Sequence, residues 1–162
     1  MTKGQIAGQI FIYIMAVIII GGIVLIGYSS ISKIFPKVCD TEKITFKSEI
    51  ESSLEKYTSY GSVNKKIMAA PCDYQTICFV DYQEISNPAG FSCANTIIND
   101  SVNSKVMENI FVISGVRTTG ISYSEFISLP NPNNCTCIIV RNNNFYITFA
   151  GKGATTEITA SQ

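Results

Sequence analysis

Ile10-Phe11-Ile12-Tyr13-Ile14-Met15-Ala16-Val17-Ile18-Ile19-Ile20-Gly21-Gly22-Ile23-Val24-Leu25-Ile26 is the stretch that decides the layout of this chain. It is apolar on every face, and no residue from Gly4 to Ser32 is charged. As a helix, the uncharged run would extend about 43 Å at about 1.5 Å per residue, longer than the roughly 30 Å hydrocarbon core of a bilayer. A helix apolar all round cannot be covered by its own domain in a chain of 162 residues, so lipid or sister helices must cover it. A removable secretory signal has an apolar region of about 7–15 residues that ends in small residues at a cleavage site. The run here is longer, and Gly27-Tyr28-Ser29 matches such a site poorly.

On the N-terminal side, Lys3-Gly4-Gln5-Ile6-Ala7-Gly8-Gln9-Ile10 leads directly into the apolar stretch. This segment resembles the class III signal peptide of archaeal type IV pilin-like surface proteins. The resemblance implies a short leader, residues 1–4, cut between Gly4 and Gln5 by a prepilin-type peptidase, with the helix 5–35 retained. It implies a structural subunit that waits in the membrane and then self-associates into a helical extracellular filament. The family places a Glu four residues after the Gln, where this chain has Gln9, and often a Ser where it has Ala7. Farther on, Tyr60-Gly61-Ser62-Val63, Pro71-Cys72 and Cys78-Phe79-Val80-Asp81 are similar to stretches of small archaeal surface proteins with such an N-terminus.

Physically, the same helix serves as a membrane anchor or as a filament core. In the second case Ile12, Ile19, Ile20, Gly21, Gly22 and Ile26 are the expected packing positions, and the glycines permit close approach or a bend. The competing reading is a monomeric, single-pass surface protein whose body binds a ligand or another cell-surface component.

The charges say where the body lies only weakly. Lys3 precedes the helix while Lys33 and Lys37 follow it, which slightly favours the wrong end for a body outside the cell. The other nine of the twelve basic residues and all twelve acidic ones follow Val38. A formal net charge of zero suggests neither nucleic acid nor an anionic membrane surface as a partner. There is no His, the commonest general base and metal ligand, and no phosphate loop or carboxylate constellation. No enzymatic activity and no cofactor are expected. Asp73, Asp81 and Glu84 are expected to be solvated acids flanking loops.

Six cysteines, at 39, 72, 78, 93, 135 and 137, all follow the apolar run. An even count confined to one side of a membrane helix is what an oxidising exterior selects, so the body, 36–162, is placed outside as a disulfide-stapled domain. Three bridges allow 15 connectivities and the sequence does not choose among them. Cys135 and Cys137 are expected on alternate faces of a strand and hence with different partners. Neither Cys72/Cys78 nor Cys135/Cys137 has the spacing of a zinc knuckle, so disulfides are preferred to metal. Asn99-Asp100-Ser101 and Asn134-Cys135-Thr136 fit the N-glycosylation pattern. Asn99 is preferred, because Cys135 beside Asn134 is expected in a bridge.

The expected body is α+β: one amphipathic helix on a small antiparallel sheet, a pilin-like layout. Composition changes abruptly after Pro36, which marks the boundary between helix and domain. Phe46, Ile50, Leu54 and Tyr57 fall at helical spacing and predict a helix over 45–60, capped by Thr45 or the box Ser48-Glu49-Ile50-Glu51 and stopped at Gly61. Thr76–Val80, Asn109–Ile113 and Tyr123–Ile127 read as strands. Cys137–Arg141 and Phe145–Phe149, joined by Asn142-Asn143-Asn144, read as a hairpin with Phe145, Ile147 and Phe149 on its buried face. Residues 83–105 read as loop with one short helix near Thr96–Lys105, and the tail from Gly151 as an edge strand or frayed end.

Overall fold

The computed structural model describes the backbone of residues 3–161 and the side chains of residues 11–30 and 38–161. The chain divides into two compact units, Met1–Asp40 and Thr41–Gln162. The first helix, α1, runs from Lys3 to Lys56. Pro36 therefore lies inside a helix rather than marking its end, which corrects the expected break and the separate helix over 45–60. A proline removes one N–H donor and crowds the carbonyl four residues back, a cost of about 3 kcal/mol. The helix α1 nevertheless continues on both sides of it. The expected caps are consequently not used as caps. Thr45 instead returns its hydroxyl to the Thr41 carbonyl at 3.0 Å.

The second unit is α+β. Eight strands form two four-stranded sheets rather than the single antiparallel sheet expected. The first sheet has the order β1-β7-β8-β5, from Val63–Ala69, Asn144–Gly151, Thr156–Ala160 and Ile127–Ser128. The second has the order β4-β3-β2-β6, from Arg117–Ser122, Ile110–Ser114, Thr76–Val80 and Cys135–Ile139. All neighbours are antiparallel except β5 with β8. Two short helices complete the unit, α2 (Tyr82–Ser86) and α3 (Thr96–Asn103).

Phe46, Ile50 and Leu54 recur at every fourth residue of α1 and are buried against Phe145, Ile147 and Phe149, which recur at every second residue of β7. Phe46 meets Phe145 edge-on at 6.0 Å between ring centroids, and Tyr57 stacks on Phe149 at 5.6 Å. Each fully buried side chain of this size contributes about 1.5–3 kcal/mol. The helix is also fastened by polar contacts. Lys66 on β1 reaches Glu49 at 2.8 Å and the Ser53 hydroxyl at 3.2 Å. The Thr156 hydroxyl donates to the Leu54 carbonyl at 2.7 Å. Gly151, at the end of β7, passes so close to the helix C-terminus that a β-carbon there would collide with the Ser59 and Tyr57 carbonyl oxygens.

The second sheet is covered on both faces. Ile77, Phe79, Ile110, Val112 and Ile138 join the core beneath α1. Cys78, Val80 and Phe111 point the other way, into a second cluster with Ile85 of α2 and Ile98 and Val102 of α3. That is why β2 reads as an unbroken apolar run instead of alternating.

The expected hairpin is a further correction. Asn142 and Asn143 do adopt positive φ, 51° and 58°, and make a tight turn. The flanking strands then enter different sheets, β6 beside β2 and β7 between β1 and β8. Tyr123–Ile127 is not a strand of that length either; only Ile127–Ser128 pairs. The tail forms β8, an interior strand rather than an edge or frayed end.

Candidate functional site

In the first unit, Phe11–Ser30 is long and apolar enough to cross a membrane, with a mean hydropathy of 2.6. Twenty residues rise about 30 Å, the thickness of the hydrocarbon core. None of its large side chains is covered: Ile12, Ile19, Ile20 and Ile26 lie 56–70% exposed, and apart from the adjoining helix backbone nothing lies within 4 Å of where a β-carbon would stand at Gly21 or Gly22. The positions expected to pack are thus uncovered among the described residues. Gly4 and Gln5 lie in a stretch where only backbone is described, as part of α1, and their side chains fall outside the described residues.

In the second unit the sulfurs are the chemically distinctive groups. Cys78 and Cys137 stand directly opposite each other on β2 and β6 and are bridged, with Cα atoms 4.0 Å apart. Cys93, just before α3, is bridged to Cys135 on β6, with Cα atoms 5.3 Å apart. Cys72 is disulfide-bonded too, and among the described residues no cysteine is free. The two bridges span 59 and 42 residues of sequence, which in the chain-entropy account is worth about 4 kcal/mol each.

Cys135 and Cys137 do have different partners, but the expected reason fails. Residues two apart on a strand share a face, and their sulfurs lie 3.8 Å from each other. The Cys93, Cys135 and Cys137 sulfurs all fall within 4.8 Å of one another. Bridged sulfurs carry no thiolate to offer a cation, so in this oxidised state the cluster is two disulfides side by side.

The two sequon asparagines, Asn99 and Asn134, differ in their surroundings. Asn99 lies inside α3, and its side-chain amide is committed twice: its oxygen accepts from Cys93 N–H at 2.7 Å and its nitrogen donates to the Cys93 carbonyl at 2.8 Å. Attaching a sugar at that nitrogen would break the clasp that holds Cys93. Asn134 is exposed on the turn before β6, where its side-chain oxygen accepts from Cys135 N–H at 2.8 Å. It borders an open hollow of about 450 Å³ lined by Ser92, Cys93, Ala94, Asn131, Pro132 and Asn133, none of them charged or aromatic.

Two of the three acids expected in solvent are buried. Asp81 caps α2 by accepting from Gln83 N–H at 3.0 Å, and its other oxygen accepts from Leu129 N–H at 2.9 Å. Glu84 is 6% exposed and one of its oxygens has no hydrogen-bond partner. Burial, and secondarily the Asp81 carboxylate, holds its carboxyl above the ordinary range. The sequence did carry a signal, since Asp81-Tyr82-Gln83-Glu84 has capping-box spacing. A third polar feature is wholly buried. The Asn109 amide donates to the Ser124 carbonyl and accepts from Ser124 N–H, both at 2.8 Å.

No protein family model matches the chain, and no curated protein or solved structure is similar enough to it to match. An apolar N-terminal helix followed by a β-sheet domain is a pilin-like layout.

Proposed function

We propose that this chain is a structural subunit of an archaeal type IV pilus-like extracellular filament, assembling through its N-terminal helix. The observation that carries the reading is the uncovered apolar face of Phe11–Ser30. A surface with Ile12, Ile19, Ile20 and Ile26 open on every side is stable only in lipid or against identical helices. The subunit waits in the membrane and its leader is cut between Gly4 and Gln5, as the resemblance of Lys3–Ile10 implies. Cysteines wholly in the oxidised state support a body on the extracellular side. If the protein is a glycoprotein, Asn134 is the better acceptor, because Asn99 is occupied by the Cys93 backbone.

The second reading, an anchored monomer with a binding ectodomain, is favoured by Gln9, which stands where the pilin pattern has a carboxylate. Negative-stain microscopy of the native protein together with N-terminal sequencing separates the two. Filaments whose subunits begin at Gln5 support the filament subunit. A detergent-soluble monomer that keeps Met1 overturns it.

A further inference from the structure

The geometry points to a thiol–disulfide exchange site made of Cys78, Cys93, Cys135 and Cys137, which accepts two electrons from a dithiol and resolves them to a new Cys135–Cys137 bridge. This holds whatever the apolar helix packs against. Three observations carry it. The Cys135 and Cys137 sulfurs, members of different bridges, are 3.8 Å apart. Cys137 is exposed and Cys135 half-buried, while their partners Cys78 and Cys93 are buried in an apolar cluster. Strand β6, which carries both outer sulfurs, is at the edge of its sheet and ladders only with β2.

These facts order the chemistry. An incoming thiolate reaches the exposed Cys137 sulfur, forms a mixed disulfide there and expels the Cys78 thiolate. Buried among Val80, Ile85 and Phe111, Cys78 takes up a proton, because an apolar surrounding disfavours the thiolate. The second sulfur of the dithiol closes on the first and releases Cys137 as a thiolate, which its exposed position favours. Freed from Cys78, the Cys137 side chain turns to its nearest sulfur and attacks Cys135. The Cys93–Cys135 bond breaks, and Cys93 leaves into the same apolar cluster and is protonated. The dithiol has become a disulfide, two bridges have become one, and Cys78 and Cys93 are thiols.

The product is sterically accessible. Residues two apart on a strand have Cα atoms about 6.6–6.8 Å apart, at the upper end of the about 4.4–6.8 Å that a disulfide spans. A small contraction of β6 suffices, and the strand carries a ladder on one side only, to β2.

The test uses the full chain in detergent, treated with one equivalent of dithiothreitol, acid-quenched over time, alkylated, digested and mapped by mass spectrometry. Labels on Cys39 and Cys72 are read separately. The expected result is a peptide with Cys135 and Cys137 joined, with label on Cys93 rising in step with label on Cys78 at a ratio near one. Label on Cys78 and Cys137 with Cys93–Cys135 intact at every time overturns the proposal, as does full reduction without the Cys135–Cys137 species. The Cys78→Ala variant tests the second step without reductant. Label on Cys93 in part of the population supports exchange; label on Cys137 alone sinks it.

Discussion

Arg141 and Asn144 exchange two backbone hydrogen bonds, Arg141 N–H to the Asn144 carbonyl at 2.8 Å and Asn144 N–H to the Arg141 carbonyl at 3.0 Å. The strands on either side then part into separate sheets. The turn between them is a junction, held by backbone conformation instead of by a ladder. Asn143, at φ 58°, also presents its carbonyl to Ala70 N–H at 2.9 Å. Asn143→Val should therefore destabilise the fold by about 1–2 kcal/mol, since a β-branched residue is strained in the left-handed region. Asn143→Gly should be close to neutral. Urea midpoints of the two variants check this, and equal midpoints would remove the strain argument.

Strand β7 approaches the end of α1 closely. Gly151 has no room for a β-carbon between the Ser59 and Tyr57 carbonyls, and these are backbone atoms that a side-chain rotation cannot move. Its own N–H donates to the Ser62 carbonyl at 2.8 Å, so β7 cannot simply withdraw. Gly151→Ala is expected to cost about 1–3 kcal/mol as an overpacking change. Gly153→Ala is a useful contrast, because Gly153 has open space but φ 99°. A thermal melt showing no loss for Gly151→Ala would mean that β7 lies farther from the helix end than described.

The buried acid gives a pH-dependent prediction. Glu84 is held above the ordinary carboxyl range by burial first and by Asp81 second. A carboxyl whose folded pKa is raised binds more protons folded than unfolded, so stability falls as pH rises. The Glu84 contribution is full below about pH 4.5, the usual carboxyl value, and is lost from there up through the raised folded value. Glu84→Gln should flatten the stability profile across that window. Denaturant unfolding at a series of pH values measures it, and an unchanged slope in the variant would assign the effect to other groups.

How much was legible follows from which interactions are local. The bounds of Thr76–Val80 are legible because the run is apolar on both faces, whatever covers them. Phe46, Ile50 and Leu54 announced their burial through spacing alone. The destination of β6 and β7 was not legible, because Asn142-Asn143 specifies a turn and only distant partners decide where the strands go. Cys78 opposite Cys137 and Phe145 opposite Met68 are such partners. The proximity of the Cys135 and Cys137 sulfurs, by contrast, was available from the two-residue repeat of a strand. The burial of Glu84 depends on the cover given to α2 by segments far along the chain, which no local pattern records.

Ile19 and Ile20 sit near the middle of Phe11–Ser30, uncovered by any other part of the described chain. In a membrane, a charge at the centre of a span costs about 2.5–3.5 kcal/mol on insertion scales. In a filament, the same charge would be enclosed by apolar neighbours with no partner, which costs several kcal/mol or more. Ile20→Glu should therefore abolish both membrane retention and filament formation, and Ile19→Glu should do the same because no face of this helix is spared. Ile20→Leu, of equal volume and polarity, should leave both intact. Fractionation of expressing cells with microscopy of their surfaces reads the two effects separately. Retention lost with filaments still present would mean that sister helices do not form the filament core. Filaments lost with retention intact would mean that the span still inserts with the charge and that only the filament core rejects it, against the loss of retention expected here.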